Sequence, residues 1–123
     1  MNALGAALGH TSAGVRISAA GLLGTQKDPA AVPDLVWMLE NDKEPAVRIA
    51  SSEALGMIGN KLATGPLMRA LRQPDAALRR GAAAALGKLA DPKAIAALKP
   101  LVEDEDPETA AAARIALQQL EKR

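Results

Sequence analysis

Val47-Arg48-Ile49-Ala50-Ser51-Ser52-Glu53-Ala54-Leu55-Gly56 has two near copies in the same chain. They are Val15-Arg16-Ile17-Ser18-Ala19-Ala20-Gly21-Leu22-Leu23-Gly24 and Leu78-Arg79-Arg80-Gly81-Ala82-Ala83-Ala84-Ala85-Leu86-Gly87. Their starts lie 32 and 31 residues apart. A weaker fourth copy begins 31 residues on, at Thr109, with Leu117 and Leu120 matching Leu86 and Leu89. Self-similarity at a fixed period of this size is the mark of a repeat architecture.

The segments between the copies repeat as well. Asp28-Pro29 matches Asp91-Pro92, with Asn60-Lys61 as a degenerate copy. Each is followed by an amphipathic stretch: Val32, Leu35, Val36 and Leu39; then Leu67, Met68 and Leu71; then Ile95, Leu98, Leu101 and Val102. Spacings of three and four place these residues on one face of a helix. Asp-Pro supplies an N-cap and a first-turn proline. Gly24, Gly56 and Gly87 fall near the ends of the second helices, and the expectation is that they serve the backbone change at a C-terminus. The unit is helix A, turn, helix B, about 31 residues long. One such pair cannot bury its apolar stripe alone, whereas several stacked pairs form a continuous core.

Composition agrees. Of 123 residues 49% are hydrophobic, yet Phe and Tyr are absent and Trp37 is the sole aromatic. Without large aromatic anchors, the core must be built from Ala, Leu, Ile and Val on closely approaching helices, and Ala and Leu are strong helix formers. The predicted A helices cover 2–9, 30–40, 61–72 and 92–102, and the B helices 13–25, 45–58, 75–90 and 107–122. Gly65-Pro66 and Pro100 are expected to shorten or kink their helices. The fold expected is an all-α, right-handed solenoid in one domain. Its approximate repeats are 1–27, 28–59, 60–90 and 91–123, the first truncated. The polar last helix reads as a terminal cap, and the N-terminus as the start of a frayed pair or the interior of a longer array.

Several function classes are excluded or made remote. Fifteen basic and fourteen acidic residues give a net charge of +1, short of the basic excess of a polyanion binder. With no cysteine, disulfides, thiolate metal sites and cysteine nucleophiles are ruled out. No stretch approaches the roughly 20 apolar residues of a membrane span, and residues 1–8 lack the basic start of a signal peptide. A cytoplasmic location is the default expectation.

Asp-Pro, an apolar helix, and then Val-Arg-x-Ala-Ala-x-x-Leu-Gly resembles the HEAT-like repeats named after phycobilisome lyases. The resemblance covers nearly the whole chain. It implies a stack in which the B helices line a concave side, and it implies structural arginines. Arg16, Arg48 and Arg79 could form a basic ladder for phosphates, but the expectation is that they pair with acidic residues of an adjacent repeat, Asp42 and Asp75 being the candidates, through the planar guanidinium fork.

The concave-face positions vary between copies in charge and size, which packing alone does not demand. Ile17, Ile49, Glu53, Met57, Arg80, Ala84, Lys88 and Ile115 are the candidate partner-binding residues. Exposed apolar side chains of this kind mark partner sites; the rival reading is that Ile17, Ile49 and Met57 touch the neighbouring repeat. Trp37 either anchors a convex-side contact or lies flat over the first helix. The acidic run Glu103, Asp104, Glu105, Asp106 and Glu108 either stabilises a helix start or steers a charged partner. His10, the one histidine, reads as a turn residue.

Enzymes with related repeats fit this sequence poorly. Deoxyhypusine hydroxylases resemble this fold but hold iron through several His-Glu pairs, and one histidine cannot supply them. Helical-repeat DNA glycosylases need a basic, aromatic concave face. Phycobilin lyases are longer and often work as two-subunit assemblies. No catalytic triad or phosphate-binding glycine loop is present. The sequence therefore predicts a non-catalytic module or scaffold, with no catalytic, metal or cofactor residues, binding a protein partner on the concave face. Neither specific nucleic acid nor membrane is expected as a partner; self-association through the truncated first repeat is a further option beside the protein partner. The alternative is an accessory lyase-type or chromophore-handling subunit.

Overall fold

The computed structural model describes residues 7–122. Four long helices take the B positions: α1 (Ala13–Gln26), α3 (Pro45–Ile58), α5 (Ala76–Leu89) and α7 (Pro107–Glu121). Between them lie α2 (Val32–Asn41), α4 (Thr64–Ala70) and α6 (Ile95–Leu98). The predicted first helix, 2–9, falls mostly outside the described residues.

A 3-10 turn leads into each of α2, α4 and α6, at Pro29–Ala31, Lys61–Ala63 and Pro92–Ala94. The cause is local. Asp28, Asn60 and Asp91 each accept, through the side chain, the backbone N–H two residues on. That closes a tight first turn and satisfies an orphan donor. Pro66 sits in the first turn of α4, where a missing N–H costs little. Pro100 acts more strongly: α6 stops after one turn and the chain continues as a second 3-10 helix, Lys99–Glu103.

Helices α1, α3, α5 and α7 pack side by side in sequence, and α2, α4 and the 95–103 segment cover them as a second layer. This is a serial stack of helix pairs, an α-solenoid. Leu35, Leu55, Leu67, Leu86 and Leu98 are fully buried between the layers. Met38, absent from the predicted stripe, joins them at 3% exposure.

The glycines correct one expectation. Gly24, Gly56 and Gly87 lie inside their helices, and none has a positive φ. What each needs is close approach. A Cβ on Gly24 would stand 2.8 Å from Ala54 Cα, one on Gly56 2.9 Å from Ala85 Cα, and one on Gly87 3.0 Å from Ala116 Cα. Every B helix thus meets the next through a glycine against an alanine.

The helix ends use other residues. Lys27, Gly59 and Ala90 close α1, α3 and α5 in the left-handed conformation, with φ of 55°, 75° and 61°. Only glycine adopts that conformation without Cβ strain. Ala90→Gly is therefore expected to raise the unfolding free energy by about 1 kcal/mol, read as a higher urea midpoint at unchanged slope.

Candidate functional site

An arginine ladder runs along one end of the stack, and it fixes how the repeats sit on one another. Arg16 donates from Nε and Nη2 to the two carboxylate oxygens of Asp42, at 2.8 and 3.1 Å. Its Nη1 donates to the carbonyls of His10 and Thr11. Arg79 repeats the pattern, with Nε and Nη2 at 3.0 and 3.1 Å from Asp104 and Nη1 on the carbonyls of Gln73 and Pro74. Each acceptor carboxylate also takes a backbone N–H two residues on, from Glu44 or Asp106. The expectation of inter-repeat pairing holds for Asp42. It fails for Asp75, which instead caps α5 by accepting the Ala77 N–H. Asp104 is the partner of Arg79.

These contacts set the acid response. Burial alone would raise the Asp42 carboxyl. The Arg16 hydrogen bond, the Glu44 amide and the charges of Arg16 and Arg48 outweigh it and leave Asp42 lowered. Asp91 is lowered by the Lys93 amide and the Thr64 hydroxyl. Asp104 is lowered by Arg79 and the Asp106 amide, and Asp106 by the hydroxyl and amide of Thr109. Groups lowered on folding contribute stability that is fully present above the unfolded Asp value, about 3.9, and lost as pH falls through the folded values. The urea midpoint is expected to stay level from pH 7 to about 5 and to fall below about 4. A midpoint rising on acidification would contradict the ladder.

The acidic run is accounted for largely by structure. Asp104 belongs to the ladder, Asp106 caps α7 through the Thr109 N–H, and Glu108 pairs with Arg80. That leaves charge steering little to act with. His10 is a turn residue, its Nδ1 accepting the Ser12 N–H. Trp37 is 62% exposed and lines an open cleft with Leu8, His10 and Asn41.

The outward edge of the B row carries the predicted binding residues. Glu53, Ala84 and Lys88 are exposed, Met57 is 37% exposed and Ile115 56%. Met57 leans toward α1, since a Cβ on Gly24 would meet its sulfur at 3.2 Å. Arg80 is half-buried and held by Glu108. Ile17 and Ile49 are half-buried and pack against the core, and Ile49 lies 3.7 Å from a Cβ built on Gly81 of the next repeat. Ile49 and Met57 thus reach a neighbouring repeat, whereas Ile17 is placed only against the core. Sequence reasoning passed over Leu22, which is 51% exposed although its equivalents Ala54, Ala85 and Ala116 are buried.

Fold and ladder together define an all-α helical-repeat protein. The model for HEAT repeats matches residues 1–72 and 60–118, and the chain belongs to the HEAT-repeat family. Over 82 residues, 62% of this chain, it is 38% identical to the phycocyanobilin lyase subunit alpha of Picosynechococcus sp.. It spans 31% of that relative's length. Two solved structures show the same fold. One is the complex of CpcE and CpcF of phycocyanin lyase from Nostoc sp., at a TM-score of 0.71 and 23% identity, covering 98% of this chain and 64% of that one. The other is human deoxyhypusine hydroxylase, at a TM-score of 0.84 and 23% identity, covering 98% and 43%. The expectation of a chain that is not an enzyme is corrected by these findings. Its curated relative is a lyase subunit, so the non-catalytic assignment does not stand.

Proposed function

We propose that this chain acts as a subunit of a lyase-type assembly that handles a linear tetrapyrrole, meeting pigment or companion chain on the outward edge of its B helices. The similarity to the lyase subunit over 82 residues carries the reading. The layout of the row supports it: the Gly–Ala contacts and ladder residues recur, while Gly21, Glu53, Ala84 and Ile115, in equivalent exposed places, differ in every repeat. Residues free of packing duty vary with what they touch. Met57 and Ile115 supply apolar contact, with Glu53 and Lys88 beside them.

Titration with phycocyanobilin tests the reading. A shift of the pigment's absorbance is expected at micromolar protein. Ile115→Asp is expected to weaken the response about tenfold, the loss of one buried apolar contact, with helicity and Tm nearly unchanged because Ile115 is exposed. No absorbance shift with the unaltered chain would overturn the pigment reading.

A further inference from the structure

The arginine ladder is broken at one rung. Aligning the A–B turns places Asp42, Gln73 and Asp104 in equivalent positions. Arg48 keeps the first half of the pattern, donating from Nη1 to the Asp42 carbonyl at 3.2 Å. The second half has no carboxylate, because Gln73 stands in its place. The Nε of Arg48 is buried with no hydrogen-bond partner among the described residues. Buried donors are nearly always paired, and an unpaired charged one is costly.

A cleft of about 200 Å³ opens at this rung, lined by Arg48, Arg69 and Gln73 with the apolar Leu39, Pro66 and Leu78. Glu40 is also in its wall, and Arg69 holds it by Nε and Nη2 at 3.0 and 2.7 Å. With that carboxylate neutralised by Arg69, Arg48 leaves the cleft one net positive charge.

We propose that the cleft between the second and third repeats binds a carboxylate borne on a short apolar arm. Arg48 grips it as Arg16 and Arg79 grip Asp42 and Asp104. The fork geometry suits a carboxylate, and Leu39, Pro66 and Leu78 suit the methylenes behind it. The arm belongs either to a small carboxylic acid, such as a pigment side chain, or to a Glu of a companion protein.

The chain, labelled with ¹⁵N, is titrated with propionate while the Arg48 Nε–H resonance is followed, with propionamide as the neutral control. Arg48 is expected to shift and saturate at millimolar propionate and to ignore propionamide. Gln73→Asp supplies the missing carboxylate from within. It is expected to weaken propionate binding at least tenfold and to raise Tm. The proposal is overturned if propionate moves Arg48 no more than the exposed Arg72, or if Gln73→Asp binds propionate as before. Two further arms name the source. Preference for biliverdin over its dimethyl ester assigns the arm to a pigment; preference for an acetylated Glu amide over its Gln counterpart assigns it to a peptide. Failure with propionate leaves the absorbance titration standing, so the two readings fall separately.

Discussion

Gly56→Val is expected to cost about 3 kcal/mol of stability or more, the upper range for overpacking a close-packed core. Even the first added atom, a Cβ, would stand 2.9 Å from Ala85 Cα and 3.0 Å from Ala85 Cβ. No rotamer relieves a clash with backbone, so α3 and α5 must separate, and with them the layer of leucines beneath. Gly21 provides the internal control. It lies in α1 at an exposed place with nothing within 4 Å of a built Cβ. Gly21→Ala is therefore expected to stabilise by about 0.5–1 kcal/mol, through helix propensity alone. Urea melts of the two variants should move in opposite directions. Equal shifts would mean that the glycines are not there for helix contact.

Asp42→Ala is expected to cost about 3 kcal/mol. The side chains of Arg16 and Asp42 are 8% and 6% exposed, so removing the carboxylate strands a buried guanidinium. The same change frees the Glu44 N–H, which opens the turn leading into α3. The exposed Arg69–Glu40 pair, with side chains 64% and 36% exposed, sets the contrast. Glu40→Gln is expected to shift stability by less than about 1 kcal/mol, as surface pairs usually do. The urea midpoint of each variant at pH 7 checks both values.

What the sequence reveals here depends on how far apart the cooperating residues lie. Asp28-Pro29 and Asp91-Pro92 act within two residues, and their turns are where the pattern put them. The 31-residue period announces the stack because each repeat must bury the same stripe. Contacts between repeats are harder to read. A glycine near a helix end looks the same whether it serves a turn or a neighbour, and Gly56 could be assigned only once Ala85 was seen against it. Asp75 is nearer in sequence to Arg79 than Asp104 is, yet Asp104 completes the ladder because pairing runs forward to the next repeat. The same forward offset would have drawn attention to Gln73. Ile49 sits at the border between the row's outer edge and its neighbour, a distinction of some tens of degrees about the helix axis that periodicity does not resolve.

The ladder, the leucine layer and the proposed binding surface all require pairs of helices stacked in series. Because the chain has no cysteine, single pairs of spin labels can be placed at the exposed positions Gly21, Glu53, Ala84 and Ile115 and their separations measured. Packed helices lie about 8–10 Å apart, so distances from the first label are expected to grow with each repeat, reaching roughly 24–30 Å between positions 21 and 115 before label length is added. A distance from 21 to 115 no longer than that from 21 to 84 would contradict the stack, and with it the ladder and the surface proposed for binding.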